Sequence, residues 1–124
     1  MAKNKYNATR TTYGGYNYDS KLEASYAMEL DWRIKAGEVK EFQRQYRFDL
    51  TVNGKTWRSY KIDFRVELTD GSFEYVEVKG FPTQEWKMKW DMTKILFQEL
   101  TEGENAKLIL STKQGSKVEK QYFK

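Results

Sequence analysis

The sequence predicts a single mixed α/β domain in the order helix, three-strand antiparallel meander, helix, parallel strand. Three observations carry that expectation. Leu22, Tyr26, Leu30 and Ile34 form an i+4 apolar stripe before Gly37. Period-two alternation then runs from Phe42 to Lys79, broken only at Asn53-Gly54 and Asp70-Gly71. A second helical stripe follows, and after it the unbroken apolar run Leu108-Ile109-Leu110. With 124 residues, 39% hydrophobic and 16% aromatic, the chain fills one packed core rather than two.

The first helix starts near Asp19 or Ser20, either of which can cap it, and stops at Gly37. The first strand carries Phe42, Tyr46, Phe48, Leu50 and Val52 up to the hairpin signal Asn53-Gly54. In the second strand Tyr60, Ile62, Phe64, Val66 and Leu68 alternate with Lys61, Asp63, Arg65 and Glu67. The third strand, Phe73 to Lys79, sets Val76 and Val78 against Tyr75, Glu77 and Lys79. Pro82 and Thr83 start a second helix from about Gln84 to Leu100, with Trp86, Trp90, Phe97 and Leu100 on one stripe. The strand Lys107 to Thr112, reached through that helix, is expected to lie parallel to the third.

Register decides where the polar residues go. A two-residue turn at Asp70-Gly71 would put Asp63 and Glu77 on opposite faces. A three-residue loop of Thr69, Asp70 and Gly71, with Gly71 left-handed, instead sets Asp63 opposite Glu77 and Lys61 opposite Lys79. It also sets Ile62 opposite Val78 and Phe64 opposite Val76, making one continuous apolar face, and is the register expected.

Composition narrows the chemistry. There is no cysteine and no histidine, which excludes disulfides, thiolate zinc sites, serine-histidine triads and histidine-based nucleases. A hydrolase built from these residues must use carboxylates, lysine and a hard oxygen-seeking cation, Mg²⁺ or Mn²⁺. No stretch is apolar enough for a membrane span or a signal peptide, so a cytoplasmic address without membrane association is the expectation.

The net charge of +4 is unevenly spread. Lys3, Lys5 and Arg10 meet no acid within residues 1–17, and Lys113, Lys117, Lys120 and Lys124 meet only Glu119 within 113–124. The expected organisation is therefore a basic, tyrosine-rich arm over 1–17, a domain over 18–112 and a basic tail over 113–124. Basic ends around an acidic centre suit a polyanion partner, although solvated termini explain them equally well. The arm tyrosines Tyr13, Tyr16 and Tyr18 have two readings, stacking on bases or packing on the domain.

Two carboxylates side by side, Asp63 and Glu77, repel unless something positive lies between them, and a divalent cation is the natural occupant. Lys79, two positions beyond Glu77, can position a water or stabilise phosphate charge. A solvated sheet face of alternating charges is the plainer alternative. Glu23 reads first as the far end of a capping box begun by Ser20, and Trp86 and Trp90 read as core. Lys87, Lys89 and Lys94 on the second helix, like Lys61 on the polar strand face, are candidate phosphate contacts or solvated charges.

The segments YDSKLEASYAMEL and YKIDFRVELTDGSFEYVEVKG resemble the PD-(D/E)XK nucleases, and among them the phage endonuclease I type of Holliday-junction resolvase. The resemblance spans roughly residues 18 to 112. It matches Ser20, Leu22 and Glu23 to a helical S-x-L-E motif, Asp63-Phe64 to a D-F strand, and Glu77, Lys79 and Gly80 to E-x-K-G. Ile62 stands where the family motif has its proline. Thr83, Trp86 and Lys89 follow a T-x-x-aromatic-x-x-K pattern found in similar small phage proteins.

The resemblance implies a restriction-endonuclease-like core. It further implies that Asp63, Glu77 and the Val78 carbonyl hold Mg²⁺, that Glu23 holds a second ion or its water shell, and that Lys79 orients the attacking water. A short chain leaves little room for a sequence-reading domain, which favours recognition of DNA shape, with a symmetric homodimer presenting two sites. The expected activity is a branched-DNA or Holliday-junction endonuclease. A nicking or end-processing nuclease of phage replication or packaging, and a DNA-binding module without catalysis, are the alternatives.

Overall fold

A computed structural model of the chain describes residues 10–122. A small hairpin of β1 (Thr11–Tyr13) and β2 (Tyr16–Tyr18) precedes α1 (Lys21–Lys35). The meander β3 (Val39–Val52), β4 (Lys55–Leu68) and β5 (Phe73–Val78) follows, then α2 (Gln84–Leu100), β6 (Ala106–Thr112) and β7 (Gly115–Tyr122). β3 to β7 form one five-stranded sheet in sequential order, antiparallel except for the β5–β6 pair, which is parallel because α2 carries the chain back across the sheet.

Ser20 caps α1 by accepting from the Glu23 amide, and Thr83 caps α2 by accepting from Trp86. α1 buries Ala24, Tyr26, Ala27 and Leu30. Ile34, expected on that stripe, is exposed, because the i+4 drift carries it past the narrow face that two alanines allow to sit close to the sheet. Arg33 fastens the same helix to β5 through a 3.0 Å ion pair with the buried Glu74. α2 buries Trp90, Thr93, Leu96 and Phe97.

The two helices cover opposite faces. Val76 and Val78 of β5 pack in the α1 cluster, whereas Tyr75 between them packs with α2, as alternation requires. The β4–β5 register is the one expected. Phe64 pairs with Val76, Glu67 with Phe73, and Gly71 takes φ 89° in the loop closed by the Leu68 amide on the Ser72 carbonyl.

The single apolar face expected along β4 does not form. Phe64 and Val66 lie in the α1 cluster, but Tyr60 and Ile62 lie in the α2 cluster. β3 switches with it, since Phe42 packs on the α1 side and Tyr46, Phe48 and Leu50 on the α2 side. Residues two apart share a face on a regular strand, so the ribbon turns over between Ile62 and Phe64. The β3–β4 ladder skips one rung there, and Gln45, the residue facing Asp63 across that rung, has φ 54°. The β4–β5 ladder ends at Phe64–Val76, so Ile62 never reaches Val78, and Lys61 pairs with Arg47 rather than Lys79.

Both expected termini are corrected within the described residues. Gly14 and Gly15, at φ 59° and 79°, close the β1–β2 hairpin, and Tyr18 is a core residue at 2% exposure. Tyr13 donates to Asp31 at 2.6 Å, and Arg44 donates to the Tyr18 hydroxyl at 2.6 Å while lying over the Tyr16 ring. These tyrosines therefore pack the hairpin onto the domain. Residues 115–122, expected in a basic tail, form β7, whose Tyr122 packs beside Phe97. Its lysines sit on an edge strand, where charge protects against further pairing.

Candidate metal centre

The centre lies where the ribbon turns over. At the skipped rung the Asp63 side chain replaces the missing backbone bonds. One carboxylate oxygen accepts from Gln45 Nε2 at 3.2 Å on β3, and the other accepts from the Val78 amide at 2.8 Å on β5. Asp63 thus bridges three strands from a site that is 9% exposed. Glu77 lies deeper, at 5%, because its neighbours in β5 are buried on both faces of a central strand.

Glu77 is held by an indole donor. Trp86 Nε1 donates to Glu77 Oε2 at 2.8 Å and lies 3.2 Å from the Tyr60 oxygen, which brings the phenol beside the carboxylate. The other oxygen, Glu77 Oε1, is buried with no hydrogen-bond donor. Burial first, then the Asp63 charge, raises the Glu77 carboxyl well above the usual range. Asp63 is raised too, chiefly by burial, against the lowering effect of the Val78 amide. The Asp63 charge opposes ionisation of Glu77, so a proton or a cation would relieve the pair.

Glu23 adds a third carboxyl group. It is half-buried, and burial, then Asp63 and Asp19, push its carboxyl up to about 8. Ser20 makes its half of the capping box, and the Glu23 carboxyl lies within electrostatic reach of Asp63, Asp19 and Lys79. Lys79 is the countercharge to Glu23, Asp63 and Glu77 alike, and its Nζ sits 5.2 Å from the centre of the Trp86 ring. The structure therefore gathers Glu23, Asp63, Glu77 and Lys79 into one electrostatic group.

Among the described residues, no three acidic side chains form a ready-made cation cage. The Asp63–Glu77 pair nonetheless suits a divalent cation. A buried carboxylate oxygen without a donor, beside a second buried carboxylate, is relieved by a proton or a cation, and an all-oxygen donor set is of the kind that hard cations such as Mg²⁺, Ca²⁺ and Mn²⁺ take.

The site opens on a groove of about 380 Å³ lined by Lys61, Glu77, Lys79, Trp86 and Lys89 among others. Of the candidate phosphate contacts, Lys61 is exposed there, and Lys89 is tied to Glu85 at 3.6 Å. Lys87 and Lys94 share Asp91 at 3.4 Å each, and Arg10 lies 3.9 Å from Asp19. Lys3 and Lys5 fall outside the described residues.

Gln45, Tyr60 and Trp86 are the supporting residues that sequence reasoning did not assign. Tyr60 and Trp86 were read as core, and the clue in both was chemical, since a phenol or indole in a core needs a hydrogen-bond partner. The left-handed Gln45 carries no comparable signal, because glycine and asparagine are the residues that advertise that conformation.

The described residues thus define a mixed α/β domain with a buried pair of carboxyl groups, Asp63 and Glu77, on its central strands. The chain belongs to the family described as "Protein of unknown function (DUF1064)", whose model matches residues 3–123. No match was found among curated proteins or among solved structures. Among the described residues, no helix is long and apolar enough to cross a membrane.

Proposed function

We propose that the chain is a Mg²⁺-dependent DNA endonuclease of the PD-(D/E)XK type, with a restriction-endonuclease-like core. The observation that carries this reading is Glu77 Oε1, buried without a donor beside a second buried carboxylate. Asp63, Glu77 and the Val78 carbonyl would hold the cation, and Glu23 would close the set or carry a second ion. When bound, the cation supplies Lewis-acid polarisation of the phosphate and acidifies a water.

The remaining work falls to this chain's own groups. Trp86 fixes the Glu77 carboxylate, and the Val78 amide and Gln45 fix Asp63, so both ligands are oriented by the fold. Lys79, held near the Trp86 face, orients the attacking water and offsets charge growing on the phosphate. Lys61 and Lys89 line the groove and would contact the DNA backbone there, and Arg10, Lys87 and Lys94 are further candidate phosphate contacts. Exposed ion pairs such as Lys87–Asp91 contribute little, so a DNA phosphate can displace them.

The substrate is branched or junction DNA, read by shape and cut by a homodimer in the host cytoplasm. The test is cleavage of a four-way junction and of a linear duplex of matching sequence, with Mg²⁺ and with EDTA. Paired nicks at the junction, dependent on Mg²⁺, are expected. Equal cutting of linear duplex would replace the resolvase reading with a nicking or end-processing one, and no cutting of either would leave a binding module.

A further inference from the structure

β3 and β4 are each 14 residues long, whereas β5 has 6, and the β4–β5 ladder stops at Phe64–Val76. Beyond that rung the two long strands run on as a ribbon, from the Tyr46–Ile62 pair to the Val52–Lys55 pair. One face of the ribbon is packed, since Phe48, Leu50, Tyr60 and Ile62 lie in the α2 cluster. The other face is open. It carries Arg47 opposite Lys61, Asp49 opposite Ser59 and Thr51 opposite Thr56, all exposed except the half-buried Thr51. α1 does not reach it, because the α1 cluster takes no residue of β3 beyond Phe42 and none of β4 before Phe64.

The chemistry of that face is one-sided. Like charges directly opposed across a ladder are destabilising, yet Arg47 faces Lys61. Lys61 joins none of the ion pairs among the described residues. Arg47 Nε donates to Asp49 at 2.9 Å, and Asp49 also accepts from the Ser59 hydroxyl at 3.3 Å. The one acid of the face is thereby used to hold Arg47 by its inner nitrogen, and the two terminal guanidinium nitrogens have no acceptor among the described residues. A guanidinium fork presented in this way suits a phosphate.

Position supplies the rest. Ser59 and Lys61 also line the groove that holds Glu77 and Lys79, so the open face is continuous with the metal centre. Two cations and the hydroxyls of Ser59 and Thr56 are donors of the kind that hold phosphate oxygens. Because α2 backs the ribbon, the face meets a partner as a flat surface rather than as a finger in a groove. We propose that this face seats the sugar-phosphate backbone of the duplex arm leading to the cleavage point, with Arg47, set by Asp49, and Lys61 on phosphates. The proposal rests on the nuclease reading and deepens it: backbone contacts carry no base sequence, so the duplex is placed by its geometry.

The test is binding of the full chain to a fluorescently labelled linear duplex, in EDTA so that nothing is cut, over a series of KCl concentrations. The wild-type chain is expected to bind, with affinity falling as salt rises. Arg47→Ala combined with Lys61→Ala should weaken binding about tenfold at physiological salt and reduce the slope of log affinity against log salt by about 2, the loss of two phosphate contacts. Lys35→Ala combined with Lys40→Ala removes the same charge from exposed positions around the start of β3, and should change affinity by less than about twofold. Asp49→Ala removes an acid from the face and should nevertheless weaken binding, because Arg47 loses its support.

Absence of binding by the wild-type chain overturns the proposal. So does an equal loss in the Lys35 and Lys40 variant, or tighter binding by Asp49→Ala, since either result leaves net charge as the whole explanation. The nuclease reading fails separately. Binding that depends on Arg47 and Lys61 without Mg²⁺-dependent cleavage removes the hydrolytic role and leaves the duplex surface in place, whereas cleavage with binding indifferent to Arg47 and Lys61 does the reverse.

Discussion

Asp63→Asn and Glu77→Gln are each expected to lower Mg²⁺-dependent DNA cleavage by about 10³-fold while making the metal-free protein more stable. The two effects have one cause. Both carboxyls are buried, and a cation requires them ionised where burial favours the protonated form. A neutral amide keeps the shape and can still accept from Trp86 or from the Val78 amide. It removes the charge that burial opposes, a relief of about 1–3 kcal/mol at pH 8. Initial cleavage rates with saturating Mg²⁺ and urea unfolding in EDTA measure the two sides. Lost cleavage together with lost stability would assign these acids a structural role only.

The second large effect is on pH dependence. Glu23 is raised to about 8 in the fold from an ordinary value of 4.5, and Asp63 and Glu77 are raised as well. In this window the folded protein binds more protons than the unfolded chain, so folding stability falls as pH rises from about 4.5 to about 8. The metal-free midpoint of thermal unfolding is therefore expected to drop across that interval. A cation at 100 times its dissociation constant adds about 2.7 kcal/mol, so Mg²⁺ should flatten or reverse the fall at pH 8. A flat metal-free profile over the interval would contradict the burial and coupling of these acids.

Much of this architecture is legible in the sequence because it rests on local rules. α2 runs over Gln84–Leu100 as its stripe and Thr83 cap predict, and Gly71 sets the β4–β5 register because a three-residue loop needs a left-handed residue there. Asp63 and Glu77 were placed together by that register, and they do meet. The way they meet was not legible. Alternation assumes an unbroken pleat, so it placed Ile62 and Phe64 on one face, whereas the ribbon turns over between them. The turnover is what directs the Asp63 carboxylate along the sheet, towards Gln45 and Val78. β7 escaped notice for a different reason: its residues are mostly exposed, and as an edge strand it needs little apolar patterning.

Glu23 shows how tertiary context settles a choice that local pattern leaves open. The Ser20 to Glu23 spacing fits a capping box, and the Ser20 half of it forms. The glutamate side chain lies within electrostatic reach of the buried acids, where Lys79 is its countercharge. The same spacing therefore serves helix initiation through Ser20 and places a third carboxyl at the centre through Glu23.

The most direct test of the metal centre is calorimetric titration of the protein with Mn²⁺ at pH 7 in two buffers of different protonation enthalpy. Binding is expected with release of protons to the buffer, as the buried Asp63 and Glu77 carboxyls must ionise to take the cation, and Glu77→Gln should abolish both the heat and the release. Absence of binding by the wild-type chain, or binding unchanged in Glu77→Gln, would contradict the assignment.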